Sequence, residues 1–87
     1  MYEFRWNLWN TEHIAEHGVS PEEAEWVVEW ARAPYPRRTG DRFLVRGPTE
    51  DGRYLQVVFV IDPPGVVYVI HARPLTARET HRYRRRS

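Results

Sequence analysis

All thirteen basic residues in this 87-residue chain are arginine and none is lysine. A guanidinium grips phosphate through two parallel hydrogen bonds and stacks on bases, so what matters is where arginines share a surface. His71 and Arg73 lie two residues apart in an extended segment and project from one face of it; Arg42 and Arg46 are spaced to do the same in a second extended segment. An imidazole beside such arginines offers a proton shuttle next to phosphate clamps. Glu79 and Tyr83, four apart in a helical segment, add a carboxylate and a phenol on one face. His13 and His17 are also four apart, a spacing compatible with zinc, but no clearly spaced third ligand completes the set. No metal or other cofactor is expected.

The chain has no cysteine, which removes disulfides, thiol nucleophiles and cysteine-ligated zinc together. It also lacks a glycine-rich phosphate loop, a paired-carboxylate site and a nucleophile motif, so a small-molecule enzyme is the weakest reading. No apolar run reaches the roughly 20 residues of a membrane span, and no signal peptide is visible at the N-terminus. The expectation is a cytoplasmic protein with no membrane partner.

The elements that must position these residues can be read from periodicity. Tyr2 to Trp6 alternates aromatic and charged residues, as a short strand does. Asn7 can cap a helix over Leu8 to His17, with Gly18 as its stop, and Ser20-Pro21-Glu22-Glu23 is a capping box opening a second helix. Pro34 to Gly40 reads as a loop. Three strands follow, Arg42 to Gly47, Arg53 to Ile61 and Val66 to Arg73, separated by strong turn signals. Thr76 and Glu79 form a last capping box, for a helix expected to run to about Arg84 before a fraying Arg-rich tail.

The order is β-α-α-β-β-β-α: a single α+β domain over residues 1–87, with helices packed on an antiparallel sheet. Alternation assigns Phe43, Val45, Leu55, Val57, Phe59, Ile61, Val66, Tyr68 and Ile70 to the core face. The other face carries Arg42, Leu44, Arg46, Tyr54, Gln56, Val58, Val67, Val69, His71 and Arg73, which reads as a partly covered groove lined by arginines and an imidazole. Trp26 and Trp30, four apart on the second helix, read as core, or else as a partner-binding patch.

Charge divides the chain. Residues 1–34 carry seven acids against two arginines, −5; residues 35–87 carry eleven arginines against five acids, +6. With the groove and the Arg-rich end, this makes nucleic acid the favoured polymeric partner.

Phe4-Arg5-Trp6-Asn7, then Glu16-His17-Gly18-Val19-Ser20 with Glu22-Glu23-Ala24, then Asp41-Arg42-Phe43 with Gly47, and finally Ile70-His71-Ala72-Arg73 with Thr76-Ala77-Arg78-Glu79 and Tyr83, together resemble the BrnT family. The resemblance covers nearly the whole chain in order and spacing. It implies a RelE-like fold and the activity of a type II toxin-antitoxin ribonuclease toxin, acting on RNA, free or ribosome-associated. It also implies a protein antitoxin as partner, with homo-oligomers conceivable within that complex. The chain departs from the family at Asn7, where Asp is usual, at Asn10, where Lys is usual, and at His71, where Ser is usual.

Metal-independent RNA cleavage needs a base for the attacking 2′-OH, cations for the charge on phosphorus, and a proton for the leaving oxygen. On that basis Arg73, Arg42, His71, Glu79 and Tyr83 are the candidate catalytic residues, with Arg73 and Arg42 first for phosphate. Arg46, Arg78, Arg82 and His17 are candidates for RNA binding. Each has a plainer alternative: surface ion pairs for the arginines, aromatic packing for His71, the capping partner of Thr76 for Glu79, and packing on the sheet for Tyr83. A non-catalytic RNA-binding module or a protein-interaction module is the competing reading of the whole.

Overall fold

The chain folds as β1 (Glu3–Arg5), α1 (Leu8–Ala15), α2 (Pro21–Glu29), β2 (Arg37–Thr39), β3 (Arg42–Pro48), β4 (Tyr54–Asp62), β5 (Val66–Pro74) and α3 (Ala77–Arg86). The computed structural model describes residues 1–86 and side chains through residue 85. Of the Arg-rich end, the Arg86 side chain and Ser87 lie outside the described residues.

All three capping patterns form. At α2 the Ser20 hydroxyl accepts from the Glu23 amide at 3.2 Å and the Glu23 carboxylate accepts from the Ser20 amide at 3.0 Å, with Pro21 opening the helix. Asn7 and Asn10 make the same reciprocal pair at α1. Thr76 and Glu79 do so at α3, which continues through residue 86 instead of fraying from Arg84. The first helix is shorter than expected: it stops at Ala15, and a turn through Gly18, at φ +72°, carries His17 outside the helix.

The five strands form one mixed sheet in the order β1-β5-β4-β3-β2. This corrects the expected sheet in two ways, one in strand direction and one in strand count. Strand β1 runs parallel to β5, with Glu3, Phe4 and Arg5 opposite Val66, Val67 and Tyr68. An extra strand, β2, lies inside the expected loop and pairs with β3, Thr39 opposite Arg42. Its residues Arg37-Arg38-Thr39 are all exposed, so no apolar alternation announces it. The hairpin is closed by Gly40-Asp41, where Gly40 takes φ +63°, a conformation that favours glycine.

One sheet face is buried beneath α2 and the end of α1. Val45, Leu55, Val57, Phe59, Val67, Val69 and Ala72 meet Ile14, Val19, Ala24, Val27 and Val28. Burying each of the larger apolar side chains stabilises the fold by about 1.5–3 kcal/mol before entropy is counted. Strand β5 differs from its expected faces, since Val67 and Val69 are buried and Val66, Tyr68 and Ile70 are not. Opposite Val58 and Phe59, β5 bulges: Phe59 pairs with Val69 but Val58 pairs with His71, leaving Ile70 as the extra residue. The bulge resets the alternation, so Val69 and Ala72 both face the core while His71 and Arg73 stay on the open face. Ile61, assigned to the core, is exposed at the end of β4.

Strand β1 reaches only Tyr68, and α1 continues beside β5 in its place. The Asn10 amide group donates to the carbonyl oxygens of Val69 (3.0 Å) and Arg5 (3.2 Å), and its side chain is fully buried. Among the described residues no helix is long and apolar enough to cross a membrane.

Candidate functional site

Strand register lays the polar residues of the open face out in rows. Arg46, Gln56 and Arg73 form one row; Leu44, Val58 and His71 the next; Arg42, Val60 and Tyr68 a third. Arg73 and Arg42, the two arginines first expected to clamp one phosphate, therefore stand four strand positions apart, about 13 Å along the sheet. They are not brought together. Each instead belongs to a different cluster.

Arg73 is engaged by Glu79. Its Nη1 and Nη2 donate to Glu79 Oε1 at 2.8 Å and Oε2 at 2.9 Å, while Arg46 Nη2 donates to Oε2 at 3.1 Å. Arg46 Nε is fixed by Gln56 Oε1 at 2.9 Å, and Glu79 also accepts from the Thr76 amide at 2.9 Å. The paired Arg73 guanidinium, the Thr76 amide and Arg46 hold the Glu79 carboxyl down at about 2, while Glu79 raises Arg73 further. A carboxylate that acidic is a weak proton acceptor. Glu79 acts here as a clasp that orients two guanidiniums, and the cluster keeps a net positive charge.

His71 lies in the other cluster. It lines a cleft of about 500 Å³ with Trp9, His13, Arg42, Val58 and Ile70. The His17 ring meets it edge-on at 5.3 Å and the His13 ring at 6.0 Å. Partial burial pushes the His71 imidazole below its ordinary value, and His17, His13 and Arg73 push it in the same direction. At neutral pH it is therefore an uncharged imidazole able to accept a proton, within the same cleft as an exposed guanidinium, Arg42.

Tyr83 packs between Tyr35 and Tyr54, with ring centroids at 6.2 and 5.7 Å, and burial raises its phenol. It stands apart from the histidine cleft but lines a smaller one of about 120 Å³ with Tyr35, Arg37, Arg46 and Arg82. Arg78 is exposed on the first turn of α3; one residue before Glu79, it points about 100° away around the helix. Three imidazoles converge on the sheet, yet among the described residues no group of three or more His, Cys, Asp or Glu is arranged to hold a metal ion.

Several participants escape sequence reading. Arg37 enters only because β2 is a strand. Tyr68 joins the open face because β5 bulges after it, and Trp9 and His13 meet His71 only in three dimensions. The four-residue spacing of Trp9, His13 and His17 puts them on one side of the expected first helix, but reads only as an incomplete zinc pair and gives no sign that this side meets His71. Trp26 and Trp30 are not core: Trp30 is 65% exposed, and both wall a surface cavity of about 630 Å³ on the acidic helix α2. No family model matches the chain, and no curated protein matches it.

Proposed function

We propose that this chain is a RelE-like, BrnT-type ribonuclease that acts on RNA through the open face of its sheet, in the cytoplasm, under the control of a protein antitoxin. The observation that carries this reading is the pairing of a neutral His71 with Arg42 in one cleft. His71 takes the proton of a ribose 2′-OH, the 2′ oxygen bonds to the adjacent phosphorus, and the bond from phosphorus to the 5′ oxygen breaks. Arg42 balances the charge that builds on the phosphate oxygens. His17, edge-on to His71, supplies the proton to the departing 5′ oxygen, leaving a 2′,3′-cyclic phosphate and a 5′-OH. Arg46, Arg73 and Arg82 receive neighbouring phosphates.

Expression in a bacterial host, following growth and intact RNA together, tests the reading. Wild-type protein should arrest growth with loss of RNA, and His71→Ala and Arg42→Ala should each restore both. Purified protein should leave a 2′,3′-cyclic phosphate on an RNA substrate and should spare the same substrate carrying a 2′-deoxy group at the cut position. Soluble, folded wild-type protein that leaves growth and RNA untouched would refute it. One observation favours a non-catalytic RNA-binding module instead: Glu79 engages Arg73 and Arg46, leaving them fewer free donors for a transition state. That reading expects salt-sensitive RNA binding with intact RNA.

A further inference from the structure

The wall of the histidine cleft is aromatic. The Trp9 indole is 57% exposed, an unusual position for the largest side chain on a helix facing a sheet. Its orientation is fixed from both elements. His13, one turn on, stacks on it at 5.0 Å with a 10° interplanar angle, and Tyr68 of β5 lies nearly parallel at 6.4 Å and 17°. Tyr68 is itself held, by the Arg5 guanidinium 4.0 Å over its ring and by a 3.1 Å hydrogen bond from its hydroxyl to Asn7 Oδ1. Groups from α1, β1 and β5 thus hold one tryptophan against solvent at the mouth of a cleft. Val58 and Ile70 add apolar surface, Arg42 adds a cation, and among the described residues no carboxylate lines the cleft.

We propose that Trp9, backed by His13 and Tyr68, is a base-stacking subsite that receives one unpaired RNA base and so sets the adjoining phosphate between Arg42 and His71. The proposal rests on the RNA reading above and adds to it a selection for single-stranded nucleotides. Aromatic surface accepts any base, because every base has a π-face, whereas a base held in a duplex is already stacked and cannot enter. A cleft of about 500 Å³ has room for a nucleotide. Cationic and aromatic groups side by side, without an acid, match a polymer that alternates phosphate and base.

The test is fluorescence anisotropy of the full chain with labelled oligoribonucleotides bearing 2′-fluoro groups, so that binding is read without cleavage. Trp9→Ala should weaken binding to the single strand by roughly 5- to 150-fold, the loss of one stacked base, and Trp9→Phe should recover most of it. The dependence on salt should stay the same in both variants, since phosphate contacts are untouched. Placing abasic nucleotides through the oligonucleotide should weaken the wild type and leave Trp9→Ala nearly indifferent. Circular dichroism and thermal melting confirm that both variants fold, as the exposure of Trp9 leads one to expect. Wild-type binding that Trp9→Ala does not change would overturn the subsite alone. If folded wild-type protein bound no RNA at any salt concentration, the RNA reading itself would fail.

Discussion

Asn10 is placed to be missed by any reading of the chain as a string of local patterns. It sits where the BrnT resemblance has a lysine, so its apparent consequence is a lost cation. Its role in the fold is different. Asn10 is fully buried, closes the capping box of α1 by accepting from the Asn7 amide, and satisfies two backbone carbonyls, one of them 59 residues away on β5. Asn10→Ala should cost about 2–3 kcal/mol, because it removes half of the capping box and strands buried acceptors, and urea unfolding would measure it. Glu79 was legible as a capping partner, since that contact is three residues long, but its grip on Arg46 across 33 residues was not. Its carboxyl titrates at about 2 when folded, against an ordinary 4.5. The unfolded state therefore binds protons first as pH falls, and the stabilisation present above about 4.5 should fade as pH drops toward 2. The partly exposed cluster reduces the effect to about 1 kcal/mol, and Glu79→Gln should flatten that part of a stability-against-pH curve. His71 has the opposite charge type with the same direction of linkage. Its folded value lies below 6.5, so cleavage that needs the neutral ring should persist to somewhat below pH 6.5 before it declines.

At the scale of elements, helices announced themselves through caps and the three long strands through apolar alternation. Strand β2 did not, because both its faces are polar and its hairpin depends on one glycine. Gly40→Ala should destabilise the protein by about 1 kcal/mol, measured by thermal or urea melting, since alanine is strained at φ +63°. The bulge in β5 was equally invisible: Val66 to Arg73 reads as unbroken alternation, and only pairing with β4 shows that one residue is extra. Most of the candidate face survived that error, because Arg42, Arg46, Gln56 and Val58 lie on strands without a bulge and His71 and Arg73 come after it. Deleting Ile70 should remove the irregularity and leave an unbroken alternation in which Val67, Val69 and Ala72 keep the core face and His71 and Arg73 the open one. The expected result is a chain that still melts in one cooperative transition, measured by thermal unfolding; loss of that transition would show that the fold needs the bulge itself.

Across the whole molecule, the acidic first part and the basic remainder fold into one body without cancelling. Helix α2 gathers Glu22, Glu23, Glu25 and Glu29 beside Trp26 and Trp30, while Arg42, Arg46 and Arg73 stand on the sheet's open face and Arg78, Arg82, Arg84 and Arg85 on α3. RNA binding should therefore weaken steeply with salt, and Arg46→Ala should make the slope of log affinity against log salt shallower by about one unit or less. The mixed sheet also leaves little backbone unpaired at its borders. Strands β1 and β2, at the two edges, are three residues each, and β2 carries two arginines. Among the described residues the stretch of β5 beyond Tyr68 would be the longer unpaired edge, but α1 lies along it and Asn10 occupies the carbonyl of Val69. A second chain finds no template there for adding a strand, so the same buried amide that starts a helix also guards the protein against growing into fibres when it is abundant.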